Sequence, residues 1–111
     1  MNSPQKCIRS AFWVGQVKAG AQAEFKDLMD SKLLATMKGL PGVHDAQVLW
    51  PTLHEDQPPQ VACQVLVLFK SRDDLARMLA SPERQAMRAD VLTLRGLFDG
   101  TISHIEYDVV G

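Results

Sequence analysis

The sequence predicts an α+β fold in which four antiparallel strands form one sheet and two helices cover one of its faces, in the chain order β-α-β-β-α-β. Three observations predict it. Four segments are dense in β-branched and aromatic residues and bounded by Gly, Pro or polar clusters, two segments carry apolar residues at spacings of three and four, and 111 residues suffice for one compact domain, 1–111. Each β-α-β crossover is right-handed, so both helices fall on the same side of the sheet.

Residues 1–7 read as an N-terminal tail. The first strand runs over 8–17 (IRSAFWVGQV) and turns at Lys18-Ala19-Gly20. Phe25, Leu28, Met29, Leu33, Met37 and Leu40 then recur on one helical stripe, with Glu24, Lys26, Asp27, Asp30 and Lys38 mostly on the other side. Gly39-Leu40-Pro41-Gly42 ends this helix, because glycine tolerates the left-handed cap and proline cannot continue the hydrogen bonding. Val43 to Trp50 (VHDAQVLW) predicts the second strand. Thr52 to Pro59 (TLHEDQPP) predicts an exposed hairpin loop, and Val61 to Lys70 (VACQVLVLFK) is the strongest strand in the chain. Ser71-Arg72-Asp73-Asp74 opens the second helix as a capping box, in which the serine caps the Asp74 amide and Asp74 reaches back. Ser81-Pro82-Glu83 is a second start signal, which predicts a helix in two pieces with a kink. The second piece carries Met87, Val91, Leu94 and Phe98 and ends at Asp99-Gly100, and Thr101 to Val110 (TISHIEYDVV) forms the last strand.

This order is the ferredoxin-like arrangement, which leaves one sheet face bare. A face that meets water should alternate polar with apolar residues. The third strand does not: Val61, Cys63, Val65, Val67 and Phe69 point one way, while Ala62, Leu66 and Leu68 point the other with Gln64 as the only polar member. The first strand has apolar residues of both parities, Ile8, Phe12 and Val14 against Ala11 and Trp13. Both faces therefore call for burial, and two sheets packed about a two-fold axis satisfy both copies at once. The expectation is a homodimer through the sheet face.

Twelve Lys and Arg against thirteen Asp and Glu give a net charge of −1 with neither sign gathered in one half, so nucleic acid is not an expected partner. Cys7 and Cys63 lie far apart with no metal-ligand spacing around them, and no metal is expected. The opening MNSPQK lacks the apolar core of a signal peptide, and no run approaches the ~20 apolar residues of a membrane span. The expectation is a cytoplasmic protein with reduced thiols.

The Leu40-Pro41-Gly42-Val43 entry to the second strand, the passage FKSRDDLARMLASPERQAM from Phe69 to Met87, and the ending HIEYDVV resemble the dimeric α/β-barrel superfamily. That superfamily groups antibiotic-biosynthesis monooxygenase-like and stress-responsive A/B-barrel proteins. The resemblance covers Ile8 to Val110 and implies the ferredoxin-like dimer, with a pocket between sheet and helices. It spans cofactor-free oxygenases, haem-degrading enzymes, isomerases and members without known activity, so it implies a pocket rather than a reaction. Haem-handling members offer a helix histidine to iron, whereas His44, His54 and His104 all fall outside the expected helices. Cofactor-free oxygenases use an Asn, Trp and Arg set, and the only asparagine here is Asn2 in the tail. The resemblance therefore implies either a cofactor-free monooxygenase- or isomerase-like enzyme acting on a small aromatic or anionic compound, or a non-catalytic stress-associated binding protein.

The candidate catalytic residues are His104 and His44. His104 shares one parity of its strand with Glu106 and Asp108, and a neighbouring carboxylate should make it more basic; His44 adjoins Asp45. The candidate substrate-binding residues are Trp13 and Trp50, for stacking on an aromatic ring, and Arg88 and Arg95, for an anionic oxygen. Arg84, Arg88 and Arg95 share one edge of the last helix beside its apolar stripe. Set against this, and favoured by the residue types alone, the tryptophans serve as core, the arginines as snorkelling flank charges, and His104 as part of a polar rim. Cys63 is expected to be an inert buried thiol.

Overall fold

The computed structural model describes residues 4–111. Strands β1 (Cys7–Val17), β2 (Asp45–Leu49), β3 (Val61–Phe69) and β4 (Phe98–Asp108) form one antiparallel sheet in the order β2-β3-β1-β4. Helices α1 (residues 22–38), α2 (Arg72–Leu79) and α3 (Pro82–Gly96) complete the ferredoxin-like order. Among the described residues no helix is long and apolar enough to cross a membrane.

Register sets which side chains meet the helices. Trp13 lies opposite Cys63 on β3 and Ile102 on β4, and Ala11 lies between Val65 and His104. Cys63, Val65, Val67 and Phe69 are all buried on this face, together with Cys7 and Trp13. Phe25 and Phe98 stack at 5.8 Å and 22°, and both meet Trp13 edge-on at 5.4 and 5.3 Å. The other face carries Ile8, Phe12, Val14, Leu66 and Leu68, all half-buried, and the more exposed Leu49, Ile105 and Tyr107. Its centre is polar: Gln64 Nε2 donates to Ser10 Oγ at 2.7 Å and covers that serine completely.

The helix signals act at their expected places with two differences. Ser71 and Ser81 cap α2 and α3, accepting from the amides of Asp74 at 3.1 Å and Arg84 at 3.2 Å. The Asp74 carboxylate does not reach back; it lies 3.5 Å from Arg77 Nη2, one helical turn on. In α1 the middle segment Leu28–Leu33 is a π-helix between the α-helical segments Gln22–Asp27 and Leu34–Lys38. Phe25, Met29, Leu33 and Met37 are each four residues apart, and in a regular α-helix that row drifts about 40° per step around the axis. Wider turns in the middle take out part of this drift and keep all four buried.

Phe98 was expected to end the helical stripe. It instead opens β4, buried against Trp13, and the helix stops at Gly96. The early start pairs Gly15 with Gly100 across β1 and β4. A Cβ on Gly15 would lie 2.1 Å from the Asp99 carbonyl oxygen, and one on Gly100 would lie 2.0 Å from that of Val14. Both φ values are positive, +138° and +153°, so glycine is required on steric and conformational grounds together. β2 is shorter than its predicted span of 43–50, and β4 ends before Val109.

Candidate functional site

Only Leu94 of α3 is fully buried, and the Lys32–Asp90 ion pair at 3.1 Å ties that helix to α1. Elsewhere α3 stands away from the sheet. Beneath it lies a cavity of about 500 Å³, partly open to solvent, with the small side chain of Ala11 among its lining residues. Trp13, Val65 and Ile102 form its sheet side with Ala11, Leu33 and Met37 come from α1, and Met87 and Val91 come from α3. This volume falls within the ~300–1,000 Å³ of small-molecule pockets. A side lobe of about 90 Å³ shares Ala11, Val65, Arg84 and His104 and adds Arg9, Leu40 and Met78.

The charged side chains at this cavity are arginines, joined by His104. Arg84, Arg88, Arg95 and His104 line it, and no carboxylate does so in either lobe among the described residues. Arg88 Nη1 donates to Gln85 at 3.2 Å, and Arg84 and Arg95 have no ion-pair partner among the described residues. Burial, then the nearby charges of Arg9 and Arg88, hold the Arg84 guanidinium below its ordinary pKa. Arg88 and Arg95 are exposed to solvent, and Arg84 is half-buried.

His104 projects from β4 beside this cluster. Glu106 was expected to make it more basic, and the net effect is the reverse. Its side chain stays exposed to solvent, but partial desolvation lowers its pKa first, and the charges of Arg9 and Arg84 lower it further, against an opposing contribution from Glu106. The carboxylate is already engaged: Arg9 Nη1 lies 2.8 Å from Glu106 Oε2, and Arg72 Nη1 lies 3.7 Å from Oε1. Arg72 also donates to Asp108 at 2.7 Å. His104 is therefore held toward neutral imidazole, which accepts a proton.

Of the residues predicted for the site, Trp13, Arg88, Arg95 and His104 converge on the one cavity, whereas His44 and Trp50 lie elsewhere. His44 is exposed just before β2. Trp50 docks against α1, where its indole Nε1 donates to Asp30 Oδ1 at 2.8 Å and Lys26 Nζ sits 4.6 Å above its ring. Trp13 differs from Trp50 in one respect. It is 2% exposed, yet its indole N–H makes no hydrogen bond within the described residues and is not sealed from solvent. Cys63, opposite Trp13, is buried, and burial aided by Asp30 pushes its thiol up to about 12, as an inert core thiol requires. Asn2 lies outside the described residues, and no group of three or more potential ligands forms a metal cluster among those described.

Arg9 and Ala11 were not singled out from sequence. Both occupy the helix-facing parity of β1 with Cys7 and Trp13. A charged and a very small residue on an otherwise buried face form the available signal.

No protein-family model matches the chain, and no curated protein matches it by sequence. Solved structures do match over nearly the whole length. An EthD family protein of Bacillus halodurans superposes with a TM-score of 0.72 at 9% identity, covering 96% of this chain and 99% of its own. A DABB family protein with a ferredoxin-like fold from Mesorhizobium loti gives 0.67 at 14% identity, covering 96% and 99%. SnoaB of Streptomyces nogalater, a cofactor-independent oxygenase, gives 0.61 at 20% identity, covering 98% and 96%. The resemblance read from the sequence is thus matched at the level of the fold, which monooxygenase-like and stress-responsive members share.

Proposed function

We propose that the chain binds a small amphipathic anion, with an apolar or aromatic body, in the cavity beneath α3, and that it does so as a homodimer joined through the bare sheet face. The observation that carries this reading is a cavity of ligand size with three lining arginines and no carboxylate. Arg84 and Arg88, one turn apart on α3, hold the acidic group, Arg95 lies further along the same edge, and Met87, Val91 and Trp13 take the apolar body. His104 lies beside the acid-binding end. Where the ligand carries an acidic C–H or O–H there, neutral His104 accepts that proton as general base, and Arg84 and Arg88 stabilise the resulting anion. The cofactor-independent chemistry named for SnoaB gives such metal-free and flavin-free turnover a precedent on this fold.

Calorimetric titration with 2-naphthoate and its uncharged relative 2-naphthol tests the binding. Naphthoate is expected to bind at least tenfold more tightly, and Arg84→Gln to remove most of that preference. Equal affinities for the two compounds overturn the assignment of an anion site.

A further inference from the structure

The cavity holds a second, separate demand on its ligand. Resting on the anion-binding reading above, we infer that the Trp13 indole N–H opens into the cavity floor and donates a hydrogen bond to a neutral oxygen within the ligand's apolar body, so that the ligand is a carbonyl-bearing amphipathic acid. Trp13 is a hydrogen-bond donor to the ligand rather than a stacking platform.

Four observations lead there. Trp13 is 98% buried, as its 2% exposure shows, and buried indole N–H groups ordinarily find a partner. This one has none among the described residues, although no polar side-chain atom is sealed off without one, so it keeps access to solvent. Trp13 lines the cavity, and the remainder of its surroundings is core: Phe25 and Phe98 press on it edge-on at interplanar angles of 79° and 86°, and Cys63 and Ile102 flank it in register. The access therefore runs through the cavity. Those two phenyl rings also fix the indole plane, so the donor is preorganised and its direction does not adapt to the ligand.

The arginines do not fill this role. Arg84 and Arg88 project from α3, whereas Trp13 belongs to the sheet beneath it, where its cavity neighbours, Val65 and Ile102 of the sheet and Leu33 and Met37 of α1, provide no side-chain hydrogen-bonding group. A ligand that reaches both places is charged at one end and carries an acceptor inside an otherwise apolar portion. A hydrocarbon there would leave the indole N–H without water and without a partner, a loss that a carbonyl avoids.

The test uses two probes of equal charge and closely similar shape, 4-benzoylbenzoate, with a bridging carbonyl, and 4-benzylbenzoate, with a methylene in its place. Calorimetry is expected to give at least a tenfold preference of the native chain for the benzoyl compound. Trp13→Phe should bring the ratio below twofold, because it weakens the benzoyl compound by the lost hydrogen bond in addition to the lost apolar contact that both probes share. Arg84→Gln should weaken both probes by the same factor. Indole ¹⁵N–¹H spectra read the same contact without altering Trp13: its signal should move downfield with the benzoyl probe only, while Trp50, already bonded to Asp30, stays in place. Equal affinity for both probes, still weakened by Arg84→Gln, overturns the Trp13 assignment and leaves the anion site standing. Failure of both probes to bind at millimolar concentration overturns the anion site and this inference with it.

Discussion

His104 shows how a residue's immediate partner can mislead. Its neighbour on the same face of β4 is Glu106, but Arg9 and Arg72 occupy that carboxylate, and partial desolvation with Arg9 and Arg84 holds the imidazole below its ordinary pKa of about 6.5. The folded state thus binds fewer protons here than the unfolded chain. The stability this contributes is complete above about pH 6.5 and declines as pH falls through the folded-state midpoint. A bound carboxylate reverses the local balance, raising the His104 pKa, so naphthoate should bind more tightly as pH falls from 7 to 6 and should take up a proton as it does. Imidazole NMR titration with and without naphthoate checks both halves. A midpoint above 6.5 in the free protein, or one that naphthoate leaves in place, contradicts the placement of His104 beside the anion. The sequence showed the arginine edge of α3 because Arg84, Arg88 and Arg95 share a helical phase. It could not show where Glu106 spends its charge, since Arg9 and Arg72 come from 97 and 34 residues away in the chain.

The elements were legible wherever a local signal governs them. Ser71 and Ser81 start their helices as capping chemistry requires, and the apolar parities of β1 and β3 place the sheet correctly. The misjudged boundaries depend on contacts between distant segments. Phe98 continues the helical spacing of Met87, Val91 and Leu94, but its ring packs better against Trp13 and Phe25, and this contact draws the residue into β4. Trp50 was indistinguishable from Trp13 as a candidate until α1 supplied Asp30 for its indole. The Gly15 and Gly100 pair belongs to the same class, since each is explicable only by the other strand. Gly15→Ala would drive a methyl into the Asp99 carbonyl and should cost at least about 2 kcal/mol, read as a lowered midpoint in chemical denaturation. An unchanged midpoint would mean that β1 and β4 are not this close.

At the scale of the whole molecule, the unresolved demand is the outer sheet face. Ile8, Phe12, Leu66 and Leu68 leave it largely apolar around the Ser10–Gln64 pair, and a chain of 12.3 kDa has little other surface with which to offset such exposure. Light scattering at micromolar concentration should give twice the chain mass, and Leu66→Lys, at the centre of the face, should return it to the mass of one chain. A native protein that scatters as a single chain refutes the dimer.

The charge of the molecule and the charge of its cavity have opposite signs. The chain as a whole carries −1, while Arg84, Arg88 and Arg95 border the main cavity and Arg9 the lobe beside it. An approaching acid consequently meets no attraction in the far field, and beyond the ~8 Å over which physiological salt screens charge it encounters the protein as nearly neutral. Only at the mouth does the field turn attractive and become concentrated by the apolar walls. Selection between acids and uncharged molecules thus acts after encounter, through how long each stays. Added salt should shorten the residence of an acid far more than it slows its arrival.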